Sequence, residues 1–174
     1  MSEVFENIYT RRSYRNYKSD MVPREVIERV CEAGTFAATG MNRQSPIIIA
    51  VTDKETRDSI MNLNASIMGR EGTDPFYGAP VILIVLADKS VSTHIYDGSL
   101  VMGNMMLAAH ELGLGSCWIH RAKEEFETDM GRELLSSLGI EGDYEGIGHL
   151  ILGYPDGDEP QLRPRKDGYV YFVE

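Results

Sequence analysis

Val81-Ile82-Leu83-Ile84-Val85-Leu86-Ala87 is apolar at every position, with no polar residue interleaved. A strand that offers apolar side chains to both faces has to be covered on both sides. This run is therefore expected as the central strand of a sheet lying between helices. Working outward, Pro46 to Val51 is a compact β-branched run and reads as a second buried strand. Between the two, Thr52 with Glu55 three residues on has capping-box spacing and opens a helix carrying Ile60, Leu63 and Ile67. Gly69 to Gly78 gathers Gly, Asp and Pro and reads as a loop.

Beyond the central run, Asp97 to Leu112 is small or apolar nearly all round (Leu100, Val101, Met102, Met105, Met106, Leu107, Ala108, Ala109), the pattern of a helix buried in a core or against another subunit. Ser116 to Ile119 and Ile147 to Gly153 read as strands, and Phe126, Met130, Leu134 and Leu138 mark one helix between them. At the front, Val4, Phe5, Ile8 and Tyr9 make a short first helix. A second starts at Pro23 and buries Val26, Ile27, Val30 and Cys31. Gly168 to Val173 is strongly β-prone and follows a charged, Pro-rich connector, so it is expected to add to a sheet edge, here or in a partner. With no repeat or linker, residues 1–174 read as one domain with a mixed sheet layered by helices.

Composition excludes several classes. The net charge of −10 disfavours binding to nucleic acid or to anionic membranes, both of which need a basic surface. No apolar run reaches the roughly 18 residues a membrane span requires. The start, Met1 to Glu6, lacks the basic and apolar stretches of a signal peptide, so the expected address is the cytoplasm. Cys31 and Cys117 stand far apart, and a disulfide would be unusual there. There is no Cys-x-x-Cys or His-Glu-x-x-His spacing, and His94, His110, His120 and His149 are scattered, so no metal site is expected.

Four segments carry chemistry. Arg11-Arg12-Ser13-Tyr14-Arg15 concentrates three guanidiniums and a hydroxyl at the end of a short helix. That set suits a dianionic phosphate, though it would equally make a solvated basic patch. Thr39-Gly40-Met41-Asn42-Arg43-Gln44 joins a helix to a strand and offers paired carboxamides at Asn42 and Gln44, fit for a ring edge of alternating N–H and carbonyl groups or for an ordinary polar turn. In Gly113-Leu114-Gly115-Ser116-Cys117-Trp118-Ile119-His120-Arg121 two glycines would let backbone approach something flat. Cys117 lies in an apolar stretch, which favours an inert core thiol over a nucleophile paired with His120 or His149. Gly153-Tyr154-Pro155 and Arg163-Pro164-Arg165-Lys166 bring a second basic knot from the far end, fit to stabilise a reduced, anionic ring or merely to solubilise the tail. Gly146-Ile147-Gly148 lacks the third glycine of a dinucleotide fingerprint, and no P-loop is present.

Taken in order, these four segments resemble the FMN-dependent nitroreductase family over nearly the whole chain. Its Arg-Arg-Ser-x-Arg pattern is matched by Arg11, Arg12, Ser13 and Arg15, which the resemblance assigns to the FMN phosphate and ribityl chain. Its Pro-Ser-x-x-Asn-x-Gln loop is represented by Thr39, Asn42 and Gln44, implied to touch the flavin and the dimer interface. Its Gly-x-Gly-Ser-Cys-Trp-Ile stretch matches Gly113 to Ile119 and implies that His120 and Arg121 lie at the flavin N5 edge. The late Gly-Tyr-Pro and Pro-Arg-Lys pair implies a cation, Arg165 or Lys166, near N1. Ala38-Thr39 stands where Pro-Ser is usual, and His120 where glycine is frequent.

The resemblance implies an α+β fold with a central mixed sheet, and an intertwined homodimer with C-terminal strand exchange and two interfacial FMN sites. It also implies ping-pong transfer from NADH or NADPH to a small organic acceptor (nitroaromatic, quinone or related compound) through an open site. No side chain need act as obligatory acid, although His120 has a pKa range suited to proton donation. Competing expectations are a flavin store or sensor with little turnover, a cysteine hydrolase built on Cys117, and a purely structural homodimer.

Overall fold

The computed structural model describes residues 2–174. In chain order the elements are α1 (Glu3–Thr10), α2 (Arg24–Thr35), β1 (Pro46–Val51), α3 (Lys54–Ile67), β2 (Val81–Asp88), α4 (His94–Glu111), β3 (Gly115–Ile119), α5 (Ala122–Phe126), α6 (Asp129–Ser137) and β4 (Tyr144–Gly153). A 3-10 turn at Gly40–Asn42 precedes β1.

The strands form one sheet in the order β1-β2-β4-β3, so the apolar run is interior, as expected. Its alternation partitions the core. Ile82, Ile84 and Leu86 face a cluster with Ile60, Phe76 and Phe126, on the side of α3, α5 and α6. Val81, Leu83 and Val85 face Ile27, Val30, Val101, Met102 and Met105 of α2 and α4. Burying each such side chain is worth roughly 1.5–3 kcal/mol, so a polar substitution on either face of β2 strikes a whole layer.

Several expectations are corrected. Among the described residues of the single chain the sheet is antiparallel and not mixed: β1–β2, β2–β4 and β3–β4 all pair antiparallel, and the parallel contact there is an isolated bridge between Ser13 and Ser116. Helix α3 is capped one residue later than expected, because the Asp53 carboxylate takes the Thr56 N–H at 2.8 Å and outcompetes the Thr52 hydroxyl. The single helix expected across Phe126 to Leu138 is two. Thr128 breaks it by accepting from the Gly131 N–H at 3.3 Å while donating to Glu125 O at 2.6 Å. Helix α4 buries one side within this chain and leaves the other uncovered, so the chain's own core does not account for its whole apolar girth. Asp97, Gly98, Val101, Met102, Met105 and Ala109 are buried, but Ile95, Tyr96 and Leu100 are exposed. Of the two places expected for the β-prone tail, its own sheet is excluded: it forms no strand within this chain, and Tyr169 to Val173 are exposed. A lone strand has no partner for its backbone groups, so propensity alone cannot fold it.

Glycine matters most at Gly146. A Cβ there would sit 2.2 Å from the Ala122 carbonyl group, so this position lets the start of α5 lie directly on β4. That contact carries the His120–Arg121 turn down onto the sheet.

Candidate functional site

The segment after α1 runs along the outer edge of β3. Tyr14 N–H donates to Ser116 O at 3.0 Å, Lys18 N–H to Tyr154 O at 2.9 Å, and Tyr17 bridges Pro155. The first and last chemical segments are thereby laid side by side. Arg11 and Arg12 meet Arg165 at the end of α4, where Thr10 Oγ1 lies 2.8 Å from His110 Nε2. Partial burial holds the Arg11 guanidinium below its usual range; nearby Cys117 works against this, while Arg12 and Arg165 reinforce it. Burial likewise lowers His110, against the opposing pull of Glu159 and Glu111, and Arg11 and Arg12 act with the burial. Among the described residues no carboxylate pairs with Arg11, Arg12, Arg15 or Arg165. Arg12 Nη1 donates to the carbonyls of Tyr9 (2.7 Å) and Arg11 (2.9 Å), which leaves its buried Nε and Arg11 Nη1 without partners. Unpaired, partly desolvated guanidinium donors are costly unless an anion joins them.

Arg15 turns the other way. Its guanidinium lies 6.0 Å from the Tyr77 ring centroid, and it lines a cleft of about 390 Å³ with Arg70, Tyr77, Trp118, His120 and Arg121. Trp118, His120 and Arg121 also line a second cleft of about 570 Å³ with Ile95, Ser99 and Lys123. The His120–Arg121 turn is thus a ridge between two openings. Arg121 has φ 87°, a left-handed conformation that costs any residue with a Cβ energy and concentrates at functional positions.

Thr39, Asn42 and Gln44 sit elsewhere. Their loop is held by Asp97, only 3% exposed, which accepts from Gly40 N–H (3.0 Å), Ser45 Oγ (3.1 Å) and Thr93 Oγ1 (3.0 Å). Within it, Thr39 Oγ1 accepts the Gln44 N–H at 3.1 Å, and Gln44 Nε2 donates to Asn42 Oδ1 at 3.2 Å. Met41, Asn42 and Gln44 all have positive φ (54°, 53° and 50°), and Asn42 and Gln44 are exposed. From strand rise and spacing, this loop at the head of β1 lies on the order of 28 Å from Ser13 at the opposite corner of the sheet.

Lys166 parts from Arg165, with its ammonium 5.4 Å from the Tyr169 ring centroid. Gly113 and Gly115 prove to serve the chain itself. Gly113 (φ 74°) ends α4 in a Schellman turn, with Gly113 N–H on His110 O and Leu114 N–H on Ala109 O. A Cβ on Gly115 would stand 3.0 Å from the Tyr14 side chain. Cys117 is buried and its thiol pushed up by that burial, as befits a core residue. Asp97, Arg70 and Tyr77 escaped the sequence reading. Only Asp97 left a signal, as the lone acid at the head of an apolar helix.

These features define an α+β protein with an unneutralised cationic corner beside an open cleft. The Nitroreductase family model matches residues 8–154, and the chain belongs to that family. It is 31% identical over 164 residues to a candidate NADH dehydrogenase/NAD(P)H nitroreductase of Archaeoglobus fulgidus, covering 91% of this chain and 89% of that one. It is 26% identical over 188 residues to an FMN reductase (NAD(P)H) of Bacillus subtilis, covering 95% and 70% respectively. A Bacteroides fragilis nitroreductase crystallised with bound FMN superposes with a TM-score of 0.90 at 26% identity over 100% of both chains.

Proposed function

We propose that the chain is an FMN-dependent NAD(P)H oxidoreductase that works as a homodimer. The observation carrying this reading is the cationic corner. Arg165 lies close enough to Arg11 and Arg12 for their charges to act together, Arg11 and Arg12 keep donors without partners, and Ser13 stands beside them with its side chain against Cys117, a set that suits a phosphate monoester. Arg15 extends the charge toward the cleft, where a flavin ring would lie between Tyr77 and the His120–Arg121 turn. Bound FMN supplies hydride acceptance and electron delivery. Arg11, Arg12, Ser13 and Arg165 would hold its phosphate end, and the Arg121 backbone N–H would serve its reactive edge. Arg165 or Lys166 is the cation we assign to the N1 edge of the ring; Arg165 acts on Arg11, and Lys166 lies against Tyr169.

Thr39, Asn42 and Gln44 are too distant to serve the flavin held by their own chain. They are assigned to the flavin of a second copy, which makes the site interfacial. The exposed apolar residues of α1 (Val4, Phe5, Ile8, Tyr9), the outer stripe of α4 and the unpaired tail fit such a dimer, with the tail strand exchanged between copies. Donor and small acceptor enter the same open cleft in turn, a ping-pong order, with nitroaromatics and quinones as the expected acceptors. No helix among the described residues is long and apolar enough to cross a membrane. The two free thiols suit a reducing compartment, the cytoplasm.

The test is the visible spectrum of purified protein, anaerobically, before and after NADH and then NADPH. A bound flavin spectrum that bleaches within seconds supports the reading. A flavin that bleaches only over many minutes moves the protein to flavin storage or sensing. A protein that stays colourless after incubation with FMN refutes it.

A further inference from the structure

Beneath the His120–Arg121 turn lies a polar group that the proposed chemistry does not use. Asn64 of α3, Glu125 of α5 and His149 of β4 are 0%, 1% and 0% exposed. Glu125 Oε1 accepts from Asn64 Nδ2 at 2.5 Å, and its Oε2 accepts from His149 Nε2 at 2.7 Å. Asn64 Nδ2 also donates to the His120 carbonyl at 2.9 Å, while His149 Nδ1 faces Ile119 O at 3.4 Å. The Phe76 ring closes the group, its centroid 5.3 Å from that of the His149 ring. Burying a carboxylate and an imidazole is costly, and apolar residues of similar volume often serve stability as well. What this cluster adds is direction.

The described peptides are trans, so the His120 carbonyl and the Arg121 N–H point in opposite directions within one plane. With the carbonyl held inward by Asn64, the N–H is turned outward, toward the clefts that His120 and Arg121 line. No acceptor among the described residues takes that N–H. We propose that Asn64, held in place by Glu125 and His149, is a positioning residue that fixes the His120–Arg121 peptide so that the Arg121 N–H meets the reactive edge of the cofactor. This rests on the flavin reading above. Glu125 and His149 hold the Asn64 amide in the rotamer that reaches His120.

The test compares wild type with Asn64→Ala. In the flavin-free proteins, hydrogen–deuterium exchange over residues 119–123 is expected to quicken about tenfold or more in the variant, with the amides of β2 unchanged. In the FMN-loaded proteins, the rapid-mixing hydride-transfer rate at saturating NADH is expected to fall about ten- to a hundredfold, less than the roughly hundred- to thousandfold for removing a preorganised donor outright, because the N–H is loosened and not lost. FMN affinity should stay within about twofold, because the phosphate anchors are untouched. Glu125→Gln, which keeps the volume and one acceptor oxygen, should move both readouts in the same direction by less, and it carries the test if Asn64→Ala does not fold. Unchanged exchange in the folded variant overturns the proposal, as does quickened exchange with an unchanged hydride-transfer rate. A wild-type protein that binds no FMN overturns the flavin reading and this proposal together, and is distinguished by failing before any variant is compared.

Discussion

Removing the Asp97 carboxylate should cost both stability and cofactor affinity, through different consequences of one loss. In Asp97→Ala, the Gly40 N–H and the Ser45 and Thr93 hydroxyls lose their shared acceptor. Ser45 is itself buried, so its hydroxyl is left unsatisfied, whereas Gly40 and Thr93 are open enough to be hydrated. A bond to a charged acceptor is worth about 1.5–3 kcal/mol, but the buried carboxylate's own desolvation cost disappears with it, which leaves a net loss of about 2–4 kcal/mol. For a chain of this size that is a Tm lowered by roughly 5–15 °C, read by thermal unfolding of the flavin-free protein. The three positive-φ residues, Met41, Asn42 and Gln44, are then free to relax, since such conformations persist only where surroundings enforce them. FMN affinity, read by fluorescence titration, should fall at least about tenfold, or 1.4 kcal/mol. Asp97→Asn keeps one acceptor oxygen and should fall about midway. An Asp97→Ala protein with wild-type Tm and wild-type FMN affinity would refute the reasoning.

Other expectations follow from the same geometry. Arg11→Ala should raise the Kd for FMN about ten- to a hundredfold and flatten its dependence on salt, while Tm changes little because an unpaired charge is being removed; isothermal titration at two salt concentrations reads both. Burial first, and Glu28 second, push the Cys31 thiol from its ordinary 9.0 up to about 11. The folded chain therefore keeps a proton that the unfolded chain gives up, so stability should fall as pH rises from about 9 to about 11, and Cys31→Ala should flatten that slope in denaturant titrations. Deleting residues 168–174 should shift the sedimentation profile from dimer toward monomer; an undisturbed dimer would remove the exchanged strand from the proposal.

Much of the fold could be read because its signals are local. The apolar run of β2 specifies two covered faces wherever it is placed, and Pro46 to Val51 specifies a strand by composition. Pairing direction is not local. Nothing in Val81 to Ala87 says that β1 and β4 both run against it, so the antiparallel direction of the strands within the chain is a matter of topology that element type does not carry. The helix break at Thr128 did have a signal, a hydroxyl three residues before Gly131, but the spacing of Phe126, Met130 and Leu134 masked it. In the site, the arginines were legible because they are out of character in an acidic chain. Asp97 and Asn64 were not, since a buried acceptor or amide gains meaning only from the backbone groups brought to it. Arg165 acts on Arg11 while its neighbour Lys166 lies against Tyr169, a difference in side-chain partners that no motif contains.

The distance across the sheet between the arginine corner and the Thr39–Gln44 loop has a genetic consequence. Under the interfacial arrangement, each chain carries two half-sites that never meet each other, so damage to one half does not consume the other. A chain defective at Arg11 and a chain defective at Asp97, each inactive alone, would then complement when unfolded and refolded together. Random pairing would restore about a quarter of the sites to fully native composition, all of them in mixed dimers whose second site carries both lesions. Two broken alleles of one gene could thus sustain a flavin that neither can hold by itself.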